Sequence, residues 1–266
     1  MNETSCEKAG RSYARFFRAS CLVVIPTLND EETIGAVVKD LQGQGFENIR
    51  VIDGGSSDAT VQRARSAGAD TFELAQCGFG QACRHGLENL RRGTVWILFC
   101  NADGTDELED IGLLISAAEY ADLVIGSRKI FGQKTSTIIR RFGNRLVSKM
   151  IQYRWGFRFS DFGSLRLIRR DALETMDMRY HSLEWNVVMQ IRALEAGLKV
   201  TEVPVRSRTR SSAVWTLREN IGSAVCVGYA VLQAAARLVF GIGPREIASS
   251  LQPMGGVAVR AVTKNT

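Results

Sequence analysis

Histidine and proline are scarce in this chain, with two and four among 266 residues. None of the six cysteines forms a C-x-x-C pair, and His85 and His181 lie far apart, which argues against a zinc site. There is no Pro-, Gly- or Ser-rich linker and no internal repeat, which excludes a solenoid and a string of small modules. Residues 1–20 are polar and mixed in charge, without the apolar centre of a secretion signal, and are expected to form a flexible arm. Cys21 and Cys100 fall in apolar runs, where cysteine behaves as a small hydrophobe, so a reduced, cytoplasmic protein is the simplest reading. The longest apolar stretch, residues 221–242, is interrupted by Arg237. It predicts a covering or pairing helix, or one lying at a membrane face, and no spanning segment.

What is present is charge, unevenly placed. Residues 1–127 carry 11 Lys and Arg against 19 Asp and Glu, whereas residues 128–266 carry 23 against 9, so a net charge of +6 conceals −8 and +14. Two solvated surfaces would account for this. So would a metal site in the first half and an anion site in the second. No nucleic-acid motif accompanies the basic half, and the acidic half would repel a long polyanion.

The first half alternates short apolar runs with helical periodicity. "CLVVIP" (21–26), "NIRVID" (48–53), "DTFEL" (70–74), "TVWILFC" (94–100) and "DLVIGS" (122–127) read as strands, each followed by a helical pattern. That order predicts an α/β domain with a mainly parallel sheet flanked by helices. In the second half the spacing predicts helices over "STIIRRFGNRLVSKMIQY" and "LEWNVVMQIRALEAG", a strand leading into a helix at "LRLIRRDALETM", and a strand at "LKVTEVPVRSR". Parallel sheets bind ligands beyond the carboxyl ends of their strands, and those ends here read "PTLNDEE", "DGGSSD", "NADGTD" and "GSRK". A G-x-G-x-x-G turn is missing after the first strand, which rules out a nicotinamide dehydrogenase.

Two strand ends invite a ligand. Asp53, followed by two glycines, suits a ribose or base, or equally an ordinary turn. Asp103 opens a run of five carboxylates within eight residues, with the amide of Asn101 two residues before it. Hard divalent ions such as Mg²⁺ or Mn²⁺ take oxygen ligands of this kind, completed by ligand phosphates. Glu107, Glu109 and Asp110 are better read as acids favoured at a helix N-terminus. Arginine forks in the second half suit phosphate.

Taken in order, "VVIPTLNDEETI", "VIDGGSSDAT", "GFGQACRHGL", "VWILFCNADGTDE" and "LVIGSR" resemble family-2 glycosyltransferases of the GT-A fold. "FSDFGSLRLIRRDAL" and "GLKVTEVPVRSRTRSS" are similar to the subgroup of dolichyl-phosphate mannosyltransferases and polyprenyl-phosphate glycosyltransferases. The resemblance covers residues 21–212 and implies a donor half over 21–127, an acceptor half over 128–212, and a C-terminal helix and tail over 213–266. It implies a nucleotide-sugar donor held by Pro26, Leu28, Asp30, Asp53, Gly80, Asn101, Ala102 and Asp103, with Mg²⁺ or Mn²⁺ on Asp103 and Asn101. Arg128 matches the arginine near both phosphates. Arg140, Arg141, Arg166 and Arg206 fall on the acceptor-phosphate side, with Asp161 lining it.

The resemblance further implies an inverting transfer to a lipid phosphate. Should the acceptor be a hydroxyl, Asp161 and then Glu184 are the candidate bases. Expected partners are the donor, the lipid-phosphate acceptor, an anionic membrane surface at the cytosolic face, and a second copy through the C-terminal helix. Departures are visible too. Asn101 stands where the family's D-x-D motif begins with aspartate, Leu28 replaces a frequent aromatic, Gly54 replaces a second aspartate, and "SSAVW" lacks the family's lysine. A non-catalytic nucleotide-sugar or lipid-phosphate binding protein is the rival reading.

Overall fold

The computed structural model describes residues 16–128, 138–176, 178 and 185–208, with the backbone alone for 138–143. The expected C-terminal helix, Glu184, and the side chains of Arg140 and Arg141 lie outside the described residues.

Seven strands form one sheet: β1 (Cys21–Thr27), β2 (Asn48–Asp53), β3 (Asp70–Glu73), β4 (Trp96–Phe99), β5 (Leu123–Ser127), β6 (Arg166–Arg169) and β7 (Val200–Pro204), in the order β3-β2-β1-β4-β6-β5-β7. Every neighbouring pair is parallel except those made by β6, which runs antiparallel to both β4 and β5. The expected mainly parallel sheet is therefore present. Reversal of β6 brings the start of that strand, rather than its end, to the side where the parallel strands finish.

The continuous apolar runs follow from burial on both faces. Alternate residues of β1 divide between two cores. Cys21, Val23 and Ile25 join Ile49 and Val51 on one face, and Leu22 and Val24 join Ile52 and Phe99 on the other. Helix α1 (Ile34–Gly43) covers the first face with Ile34, Val37, Val38 and Leu41, an i, i+3, i+4, i+7 stripe. Helix α2 (Thr60–Ser66) precedes β3, and a short 3-10 turn (Leu108–Asp110) leads into α4 (Ile111–Ala117). The second face is covered by α3 (Phe79–Gly86), α5 (Ile138–Trp155), α6 (Arg170–Thr175) and α7 (Trp185–Glu195), the last burying Trp185, Val187, Met189 and Ile191.

Helix α3 meets β1 at Gly86, where a methyl group would overlap Cγ1 of Val24 and stand 3.4 Å from Cγ1 of Ile52. Alanine gains up to about 1 kcal/mol in helix propensity. Overpacking against two rigid, buried β-branched side chains costs about 1–3 kcal/mol. Gly86→Ala should therefore lower the urea midpoint without changing the slope of the transition.

Candidate active site

The loops after β1, β2, β4 and β5 share one end of the sheet. After β1, Asn29 takes a left-handed conformation (φ 56°), which its short polar side chain tolerates. Its Oδ1 accepts the N–H of Ser57 at 2.9 Å, and its own N–H donates to Ser56 Oγ at 2.8 Å. Asp30 Oδ2 accepts Thr27 Oγ1 (3.0 Å) and the N–H of Leu28 (3.2 Å), while its N–H donates to Thr60 Oγ1 at 2.8 Å. These bonds tie the first two strand-end loops together. Leu28 is exposed beside them, whereas Pro26, Gly80 and Ala102 are buried and present no side-chain surface to a ligand.

Asp53 is buried, and its carboxylate closes its own turn. Oδ2 accepts the N–H groups of Gly55 (3.0 Å) and Ser56 (2.8 Å), and Oδ1 accepts the Ser56 hydroxyl. Of the two readings of that aspartate, the turn is the one its hydrogen bonds display.

The carboxylates after β4 separate into two kinds. Asp103 is half-buried, and its Oδ1 is oriented by the N–H (3.0 Å) and hydroxyl (2.6 Å) of Thr105. Asn101 is half-buried beside it. Asp106, by contrast, turns inward. It accepts the N–H of Asn101 at 2.9 Å and the hydroxyl of Ser164 at 3.2 Å, and burial pushes its carboxyl up against the pull of those bonds and of Arg128. It therefore does not stand in for the charge missing at Asn101.

The remaining acids clamp the chain beyond β7. Glu107 holds Arg208 through Nε (2.9 Å) and Nη2 (2.6 Å), and the Arg208 N–H donates to the carbonyl of Thr105 at 2.8 Å. Asp110 accepts Nη2 of Arg206 (2.8 Å) and its N–H (2.6 Å), with Glu109 Oε2 at 3.2 Å from Nη2. These acids stand where a helix N-terminus was expected, Glu107 before the 3-10 turn, Glu109 and Asp110 within it and Asp110 just before α4, and they hold arginine partners as well. Arg206, expected on the acceptor-phosphate side, pairs its half-exposed guanidinium with Asp110 and Glu109 of the acidic loop.

Burial raises the Asp110 carboxyl, but its Arg206 bonds prevail and hold it below the ordinary carboxylate range. Its stabilisation is therefore complete above about pH 4 and lost as pH falls below that. Arg206→Ala should lower stability at pH 7 and flatten the loss between about pH 4 and pH 2, as read by urea unfolding at each pH.

Arg128 follows β5 and meets Asp161 from the loop before β6, with Nε 2.8 Å from Oδ2. Their side chains are 17% and 6% exposed, so the ion pair sits in a partly dry setting. Burial works against the guanidinium, but Asp161 first, then Asp106 and Asp103, hold its proton more tightly than usual. Arg128, Asp161 and Asp103 thus share one electrostatic neighbourhood. Gly163 lets their loops approach, since a methyl group there would come within 2.8 Å of the Gly126 carbonyl.

Arg166, also expected on the acceptor-phosphate side, lies inside the fold. It is fully buried in β6 and donates to the carbonyls of Asn186 (2.9 Å) and Gly163. Burial pushes its pKa down to about 10. It braces α7 and the Asp161 loop from inside and presents nothing to a ligand. What the sequence alone did not give is the pairing of Arg208, one of the second-half arginines, with Glu107. The matching signal was the pair of arginines in "VRSR" set against the acids of "DELED".

A sheet with ligand loops at the strand ends, one carboxylate beside an amide, and a cation opposite them define a nucleotide-sugar transferase of the GT-A class. The family model for glycosyl transferase family 2 matches residues 22–177, and this chain belongs to that family. Glycosyltransferase AglJ of Haloferax volcanii is 32% identical over 185 residues, 68% of this chain and 61% of that relative's length. An undecaprenyl-phosphate mannosyltransferase of Micrococcus luteus is 28% identical, with 69% of this chain and 82% of the relative aligned. Glucosyl-3-phosphoglycerate synthase of Mycobacterium tuberculosis, solved with Mn²⁺, UDP-glucose and phosphoglyceric acid, shares the fold at a TM-score of 0.70. It is 17% identical, and the superposition covers 89% of this chain and 85% of that one.

Proposed function

We propose that this enzyme transfers a sugar, with inversion, from a nucleoside-diphosphate donor to a phosphate-bearing lipid of the polyprenyl type. A phosphate oxygen of the acceptor attacks the anomeric carbon, and the bond to the nucleoside diphosphate breaks. The ion pair between Arg128 and Asp161, beside Asp103, is the observation that carries this reading. A hydroxyl acceptor needs a carboxylate to take its proton, and Asp161 is occupied by a guanidinium. An ionised phosphate needs no base and is drawn to the same cation. Similarity to a dolichyl-phosphate hexose transferase of Haloferax volcanii and an undecaprenyl-phosphate mannosyltransferase of Micrococcus luteus supports that acceptor class.

Donor binding falls to the loops of Asp30, Asp53 and Asp103. Among the described residues no group of three His, Cys, Asp or Glu could hold a metal ion. One carboxylate and one amide nevertheless fit Mg²⁺ or Mn²⁺ when the donor's phosphates supply further oxygens. Asp103 and Asn101 would hold such an ion, which would supply Lewis-acid stabilisation of the departing diphosphate.

Among the described residues no helix is long and apolar enough to cross a membrane. Helix α5 carries exposed Arg145, Lys149, Tyr153 and Arg154, which suits peripheral contact with an anionic cytosolic face.

The test incubates the full chain with UDP- and GDP-hexoses, Mn²⁺, and either undecaprenyl phosphate in detergent or soluble 3-phosphoglycerate. Mass spectrometry identifies the product, and NMR its anomeric configuration. A glycosylated lipid phosphate of inverted configuration is expected. Transfer only to the soluble acceptor would overturn the lipid assignment. Donor binding without transfer or hydrolysis would favour the non-catalytic reading, to which the uncharged Asn101 lends itself.

A further inference from the structure

We infer that Glu202 is a positioning residue that sets the Arg128–Asp161 pair through the two serines preceding its members. The inference rests on the transferase reading above, which puts that pair at the reacting centre. In the sheet, Glu202 of β7 stands opposite Ile125 of β5. Its carboxylate accepts the N–H of Ser160 (2.9 Å to Oε2), the hydroxyl of Ser160 (2.9 Å to Oε2) and the N–H of Asp161 (3.3 Å to Oε1).

Ser160 Oγ also lies 2.6 Å from Oγ of Ser127. An ionised carboxylate only accepts, so the Ser160 hydroxyl gives its proton to Glu202 and must accept from Ser127. The chain of donation therefore has one direction, from Ser127 through Ser160 to Glu202. Ser127 immediately precedes Arg128, and Ser160 immediately precedes Asp161. One carboxylate thus holds the backbone at Asp161 directly and, through two hydroxyls, the side chain of the residue before Arg128. Gln190 secures the same segment from α7, its Nε2 donating to the Asp161 carbonyl at 3.2 Å.

The arrangement is costly for the fold. Burial pushes the Glu202 carboxyl up, and the nearby charge of Asp161 acts in the same direction, despite four hydrogen-bond contacts. An acid whose folded pKa exceeds its unfolded one subtracts stability as pH rises through that range.

The experiment compares the full-length wild type with Glu202→Gln, Glu202→Asp, Ser160→Ala and Ser127→Ala. It measures the thermal midpoint, UDP-sugar affinity with Mn²⁺, kcat, acceptor KM, and calorimetric affinity for inorganic phosphate. Glu202→Gln turns an amide NH2 toward donors that the carboxylate accepted, and should lose about tenfold in kcat and in phosphate affinity, with donor affinity within about twofold, because misplacement of about 1 Å already costs ~100-fold. Ser160→Ala should behave similarly, Ser127→Ala more mildly, and Glu202→Asp should recover part of the loss. Phosphate affinity and kcat both within twofold of wild type in folded Glu202→Gln and Ser160→Ala would overturn the inference, as would losses that merely follow a lower melting point. An inactive wild type would sink the transferase reading instead, and phosphate affinity would still decide whether Glu202 positions Arg128.

Discussion

Asp103→Ala should abolish the divalent-ion dependence of donor binding and slow sugar transfer by about a thousandfold. The magnitude follows from the several kcal/mol that a bound ion contributes to charge developing on a leaving phosphate, at about 1.4 kcal/mol per factor of ten. Asp103 is the only acid in the Asn101–Asp103 segment, and the nearest reserve, Asp106, is turned inward onto Ser164. Alanine would also release Thr105 from its turn, which confounds the reading. Asp103→Asn keeps an acceptor for Thr105 while removing the charge, and should fail nearly as badly. Asn101→Asp restores a second charge and should tighten Mn²⁺-dependent binding about tenfold. Calorimetric titration of donor with and without chelator checks all three. Unchanged, chelator-insensitive binding in every variant would end the metal assignment.

Loss of Arg128 should be felt twice. Arg128→Ala leaves Asp161, 6% exposed, without its guanidinium and close to Glu202. Breaking a buried pair from one side costs about 3–5 kcal/mol, whereas removing both partners costs less. Arg128→Ala should therefore unfold at lower urea than the double variant Arg128→Ala/Asp161→Ala. Transfer should fall by about a hundredfold or more in both, because a group that stabilises developing charge is gone. Arg128→Lys keeps the charge but loses the fork that reaches both carboxylate oxygens, and should recover stability better than rate. Equal stability of single and double variants would show that the pair carries no structural weight.

Much of the architecture was legible because burial on both faces writes itself as short unbroken apolar runs. The second strand was read at its observed limits, and Cys21 and Cys100 are buried as their apolar surroundings implied. The direction of β6 was not legible. Periodicity is the same for a strand read either way, and nothing in "LRLI" says which neighbours it will meet. The acidic run was only half readable. Local rules placed Glu107 and Asp110 at the start of a helix, where they are, but could not supply their partners, Arg208 and Arg206, which lie about a hundred residues away in sequence. The burial of Arg166 was not legible for a related reason. A motif gives the residue but not the side of the sheet it faces, and a guanidinium sunk among backbone carbonyls is rare enough that solvent or ligand is the default expectation.

The reversed strand has a practical consequence for handling the molecule. Because β6 runs against its neighbours, the loop at residues 156–165 opens toward Asp103, while the turn at residues 87–95 lies at the far end of the sheet, where β4 begins. Asn89, with φ 50°, and Gly93 are exposed in that turn. A short epitope or a single cysteine for a fluorophore placed at Gly93 would ride on the end remote from the strand-end loops. The same insertion beside Asp161 would disturb its pairing with Arg128 in the candidate site. The directions of β4 and β6 together thus place a turn that can carry a label at one end of the sheet and a loop that cannot at the other.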